Sequence, residues 1–189
     1  MSHNVNKLHV CPWWLGYFLI TPLRRLFNDP VKILGPYLHE GMTVLEIGPG
    51  MGFFSLPMAR YVGSHGKIVC VDLQEKMLQK LRSRATKAGV SERIMTVRAT
   101  EDSLCLGAYE GRADFALAFA VVHEIPDTAS LFRQIHVSMK EGALLLIAEP
   151  QGHVTEEQFQ KTLEVAKQSG FGVERRLDIS KSHSALLKK

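Results

Sequence analysis

From residue 43 onward, short apolar runs alternate with longer amphipathic ones, and this rhythm constrains the fold more than any other feature of the chain. The runs Thr43 to Ile47, Lys67 to Val71, Arg93 to Arg98, Ala113 to Phe119 and Ala143 to Glu149 are short and nearly all apolar. A strand with one wet face alternates apolar and polar residues. A strand covered on both faces does not, so these five predict a parallel sheet buried between helices. Met77, Leu78, Leu81, Ala85 and Ala88 recur at helical spacing and stop at Gly89. Leu131, Phe132, Ile135 and Met139 repeat the pattern before Gly142, and a helix opened by Thr155 carries Phe159, Leu163 and Ala166 inward before Gly170. The last segment is too short for another strand-helix unit. Val173 to Ile179 and His183 to Leu187 read as two antiparallel strands.

The first 40 residues break the rhythm. Pro12, Pro22, Pro30 and Pro36 divide them, and Asp29-Pro30 has the form of a helix cap followed by proline at the first helical position. The reading is two parts: a helical appendage or lid over residues 1–40, and one α/β domain over residues 41–189. The apolar segment from Val10 to Ile20 is about half the roughly 20 residues a spanning helix needs, and the N-terminus has no signal-peptide pattern. Three scattered cysteines, without CxxC spacing, suggest neither a disulfide framework nor a metal site. A cytoplasmic protein without stable membrane insertion is expected. The net charge of +4 is spread over isolated pairs such as Arg24-Arg25 and Arg175-Arg176, so no nucleic-acid partner is expected. The oligomeric state is not readable.

Between the first strand and a helix-like run (Phe54 to Tyr61) lies Gly48-Pro49-Gly50-Met51-Gly52. Glycines at such a turn let the backbone bend tightly and approach a ligand closely. At the carboxyl end of a parallel strand, that is where ligands bind. A dinucleotide turn wants a third glycine at position 53, which is Phe53, and its pyrophosphate would meet the charge of Glu46. An ammonium and a sulfonium would be favoured by Glu46, so the charge argument points to S-adenosylmethionine. Asp72, ending the second strand, should emerge beside this turn and accept hydrogen bonds from ribose hydroxyls. Nicotinamide enzymes share that feature.

Four segments in order resemble the motifs of class I S-adenosylmethionine-dependent methyltransferases of small-molecule type. They are Val44 to Gly52, Val71-Asp72-Leu73, Thr100 to Leu104, and Val121-Val122-His123-Glu124-Ile125-Pro126-Asp127. The resemblance implies a Rossmann-like seven-stranded, mostly parallel sheet with helices on both faces and a C-terminal antiparallel strand pair. It implies that Gly48, Pro49 and Gly50 line the methionine part, Glu46 supports its amino group, Asp72 holds the ribose and Leu73 packs on adenine. Family members usually carry Gly-Asp-Ala after the third strand. This chain has Ala99-Thr100-Glu101, leaving Thr100, Glu101 or Asp102 to reach the adenine amino group. Phe119 should face the cofactor or acceptor, or else sit in the core.

Methyl transfer needs an in-line nucleophile, exclusion of water, and a base only if the acceptor arrives protonated. His123 and Glu124 lie where acceptors bind in the family and could take a proton; they could equally cap or orient the next helix. Cys11, Trp14, Tyr17 and Phe18 belong to an aromatic segment that either seals the core or lines a substrate pocket. The absence of a long insertion after the fifth strand favours a small-molecule acceptor, a thiol, hydroxyl or other soft nucleophile. The alternatives left open are a nicotinamide-dependent reductase and a non-catalytic methyltransferase-like binding protein.

Overall fold

The computed structural model describes residues 28–189. The sequence-predicted appendage and the candidates Cys11, Trp14, Tyr17 and Phe18 lie wholly or mainly outside these residues. The described part begins with the anticipated cap: Asp29 accepts a hydrogen bond from the Val31 amide and Pro30 opens α1 (Pro30–Leu34). Leu34 and Leu38 are buried with Val44, Phe54 and Met58.

The elements then alternate as β1 (Thr43–Ile47), α2 (Ser55–Tyr61), β2 (Lys67–Asp72), α3 (Glu75–Lys87), β3 (Ile94–Arg98), β4 (Ala113–Phe119), α4 (Thr128–Ser138), β5 (Met139–Pro150), α5 (Glu156–Gln168), β6 (Gly172–Arg176) and β7 (Ser182–Lys188). One seven-stranded sheet has the order β3-β2-β1-β4-β5-β7-β6. The β1 to β5 pairings are parallel, and β7 runs antiparallel to both β5 and β6. Helices cover both faces. Leu45, Ile47, Val69, Val71, Ala116 and Ala118 share one core with α4 and α5. Val44, Ile68, Cys70, Phe115 and Leu117 share the other with α1, α2 and α3. The period of two along each strand divides the cores, which is why these strands read as unbroken apolar runs.

Several boundaries differ from the expected ones, most clearly in three places. The fourth helix does not continue to Gly142. It ends at Ser138, and Met139 passes directly into β5, where the register shift between Ala113 and Phe115 absorbs Gly142 in a left-handed conformation at φ 76°. β3 begins at Ile94 rather than Arg93, because Ser91–Arg93 form a single 3-10 turn. β6 ends at Arg176, and the pairing resumes only as an isolated bridge between Ile179 and Ser182. Thr155 caps α5 as expected, and Gln158 completes a reciprocal cap that was not anticipated. Thr155 accepts from the Gln158 amide while the Gln158 side chain accepts from the Thr155 amide.

Candidate functional site

The chain builds outward from β1 to β3, then returns to place β4 on the other side of β1. A crevice opens where strand order reverses, outside the carboxyl ends of β1 and β4. The turn after β1 sits at its mouth. Gly52 has φ 87°, and a Cβ there would come within 2.4 Å of Leu81 Cδ1 on α3. A Cβ on Gly48 would come within 2.6 Å of Val121 Cγ2. These two glycines permit close packing. Gly50 is different: its added Cβ would meet nothing within 4 Å, so this part of the turn faces open space.

That space has two lobes. The first, of about 260 Å³, is lined by Gly48, Gly50, Asp72, Leu73, Thr100, Glu101, Asp102 and Gln134, among others. The second, of about 330 Å³, is lined by Glu46, Phe53, Phe54, Phe119, His123, His153 and the Ser180–Ser182 turn, among others. Ile47, Gly48, Gly50, Ala120 and Glu124 line both. They form the waist. Ala120 is held there with φ 57°, a left-handed conformation uncommon for a residue with a Cβ, and its amide donates to the Ala148 carbonyl at 2.7 Å.

Asp72 sits in the first lobe. Its Oδ2 accepts from the Gly50 amide at 3.3 Å and its Oδ1 from the Gln74 amide at 2.8 Å. Burial pushes its carboxyl up to about 6, against the pull of those two amides and with a smaller upward push from Glu124. The carboxylate is thus fixed in place and under-solvated, and ribose hydroxyls could supply the missing donors. Leu73, Thr100, Glu101 and Asp102 line the same lobe. Gln134 from α4 secures the loop beside them, its Oε1 accepting from the Leu104 amide at 2.8 Å.

Glu46 lies beneath the second lobe at 3% exposure. Its Oε2 accepts from Ser55 Oγ at 2.5 Å, and the Cys70 thiol approaches the same oxygen at 3.8 Å. Burial, then the Glu46 charge, push the Cys70 thiol well above its ordinary value. Glu46 could still meet a ligand ammonium across the cavity it lines. Phe119 packs on Phe54 with ring centroids 4.6 Å apart. It lines the second lobe, away from Asp72.

The residue that sequence reasoning missed is Glu149. It is 1% exposed, at the end of β5. Its Oε1 accepts from the Val121 and Val122 amides at 3.1 and 3.0 Å. Its Oε2 accepts from the His123 amide at 3.1 Å and is hydrogen-bonded to His123 Nδ1. One carboxylate therefore fixes both the Val122–Glu124 turn and the imidazole above it. The hydrogen bond to Glu149 holds the His123 pKa above the ordinary histidine value, outweighing burial. His123 Nε2 is left on the other side, 3.4 Å from Nδ1 of His153, and both rings line the second lobe. The only signal for Glu149 in the sequence was a carboxylate ending an apolar run, as Asp72 ends the second strand. Glu124 sits at the waist.

Among the described residues, no group of three histidine, cysteine or carboxylate side chains could hold a metal ion. None of the helices there is long and apolar enough to cross a membrane.

The profile of a family described as the methyltransferase domain matches residues 38–183. The Escherichia coli K12 (DH10B) ubiquinone/menaquinone biosynthesis C-methyltransferase UbiE is 27% identical over 112 residues, 59% of this chain and 44% of that protein. The chain therefore matches less than half the length of this curated relative. A S-adenosylmethionine-dependent methyltransferase from Aquifex aeolicus superposes with a TM-score of 0.84 at 24% identity, covering 95% of this chain and 98% of that one. One from Mesorhizobium loti gives 0.65 at 20%, covering 85% and 96%. The [4+2]-cyclase SpnF gives 0.68 at 18%, covering 80% and 60%. The fold alone does not name a reaction.

Proposed function

The chain belongs to the S-adenosylmethionine-dependent methyltransferases, and from that premise we propose that it methylates a small acceptor bearing an ionisable hydroxyl or thiol, with His123 as the base. In this reading the first lobe takes the adenosine, with the ribose on Asp72 and adenine against Leu73 and the Thr100–Asp102 loop. The methionine part follows Gly48, Pro49 and Gly50 toward Glu46. The sulfonium then lies at the waist, and its methyl group points into the second lobe. The acceptor enters there, against Phe53, Phe54 and Phe119, within reach of His123.

The observation that carries this proposal is the Glu149–His123 pair. With Nδ1–H donated to Glu149, the neutral ring presents its lone pair at Nε2, in the lobe beyond the waist. A hydroxyl or thiol delivers its proton to Nε2, its oxygen or sulfur displaces the sulfonium in line, and S-adenosylhomocysteine leaves. If the acceptor is a hydroxylated ring, the same deprotonation also enriches its ortho carbon. That reading gains weight from UbiE, which is named for C-methylation. The free thiols of Cys70 and Cys105 support a reducing compartment such as the cytoplasm.

The test is turnover of S-adenosylmethionine with phenol, hydroquinone, thiophenol and a short alkyl thiol, reading S-adenosylhomocysteine release and the mass and NMR spectrum of the product. The expected result is turnover that rises with pH through a value above 6.5, since the raised His123 pKa must be passed to free Nε2. His123→Gln should lower kcat about 10²-fold or more without weakening cofactor binding. An unchanged kcat and pH profile in His123→Gln would remove His123 from the reaction.

A further inference from the structure

Resting on the reading of His123 as the base, we propose that His153 is a relay residue that carries the acceptor proton from His123 to water. Methylation of a protonated nucleophile must release a proton: the bond from hydrogen to oxygen or sulfur breaks, the methyl–sulfonium bond breaks, and one new bond to carbon forms. The proton arrives on His123 Nε2. It cannot leave through the other ring nitrogen, because Nδ1 is engaged by Glu149, which is 1% exposed and already accepts three backbone amides.

His153 lies across the lobe with Nδ1 3.4 Å from His123 Nε2, its ring nearly perpendicular and 5.4 Å away between centroids. It is exposed, in the turn between β5 and α5. That turn is itself secured, the His153 and Val154 amides both donating to the Pro150 carbonyl and the Gln151 amide to the Lys181 carbonyl. The remaining charged groups lining this lobe are Glu46, Glu124 and Lys181. After the methylated product has withdrawn from Nε2, the proton passes to Nδ1 of a neutral His153. That ring then loses its own Nε2 proton to water, and the imidazole returns to its starting tautomer by ring exchange. No atom or electron pair is left unassigned.

The relay is testable without an acceptor. In the S-adenosylhomocysteine complex, with histidine labelled by 15N, ring NMR reads the tautomer, titration and water exchange of each imidazole. The prediction is that His153→Gln slows exchange of the His123 Nε2 proton with water at least tenfold. Added imidazole should restore the exchange. His153→Asn, a shorter side chain, should behave the same, with the backbone amide spectrum and S-adenosylhomocysteine affinity unchanged in both. Unaltered His123 exchange in the two variants would overturn the relay. Slowed exchange in the His153 variants together with a kcat insensitive to His123→Gln would leave the relay standing as a proton path and sink instead the assignment of His123 as base.

Discussion

At the residue scale, the site depends on three carboxylates placed at strand ends, and each does different work. On the proposed reading, Asp72 sets cofactor binding against stability. Its carboxyl is raised from an ordinary value near 3.8 to about 6, so the folded chain gains from its protonation as pH falls through 6 toward 4 and loses that gain above 6. A ribose would reward the charged form. Two results follow. Cofactor affinity should weaken as pH drops below about 6, with proton release on binding near that pH, measurable by calorimetry in buffers of different ionisation enthalpy. Asp72→Asn should raise the melting temperature of the unliganded protein at pH 7 by several degrees, about 2–4 °C per kcal/mol, while weakening S-adenosylhomocysteine binding at least tenfold.

Glu149 works through His123. Replacing it with Gln can keep an acceptor oxygen for Val121 and Val122 but presents an amide hydrogen to His123 Nδ1, which then favours the tautomer carrying its proton on Nε2. The account predicts a folded protein in which ring NMR shows the switched tautomer and kcat falls as far as in His123→Gln. The three carboxylates were legible to different degrees. Glu46 and Asp72 were visible because the glycine turn and the second strand gave them a setting. Glu149 was not, since its partners, three amides and an imidazole 26 to 28 positions away, are made only by the packing of β5 beside β4.

At the element scale, α3 braces the whole cofactor half. It begins just after Asp72 and Leu73, and within its first three turns Leu81 packs on Gly52 and the Arg84 guanidinium donates to the Met51 carbonyl. Gly52→Ala should cost about 2–4 kcal/mol, the sum of a left-handed alanine and a clash with a side chain in a packed core. Adding Leu81→Ala should recover part of that, a favourable coupling of about 1 kcal/mol or more in a double-mutant cycle by urea denaturation. Strictly additive losses would mean that the contact does not govern the turn. Helix and strand identities were readable because apolar periodicity and caps agree, as at Asp29-Pro30 and Thr155. The end of α4 was misread because Met139 fits the helical stripe equally well. Its place is decided by pairing with Ala113, a contact that local sequence does not carry.

At the scale of the whole molecule, the strand order puts the waist where β1 and β4 diverge, and the candidates from Gly48 to Glu124 line the waist or one of the two lobes beside it. The order of motifs made the cofactor half readable. The acceptor half was not, because its lobe combines Phe53, Phe54, Phe119, His123, His153 and the Ser180–Ser182 turn from separate parts of the chain. Phe119 illustrates the difference: placed correctly at the end of β4, it turns toward Phe54 and the second lobe rather than toward the ribose site. The division of the crevice into a donor lobe and an acceptor lobe is the central claim. A crystal structure of the S-adenosylhomocysteine complex tests it most directly. The account predicts ribose hydroxyls within hydrogen-bonding distance of Asp72, the sulfur at the waist between Gly48 and Ala120, and the space beside His123 open to an acceptor. Adenosine seated beside His123, or a ribose without contact to Asp72, would contradict it.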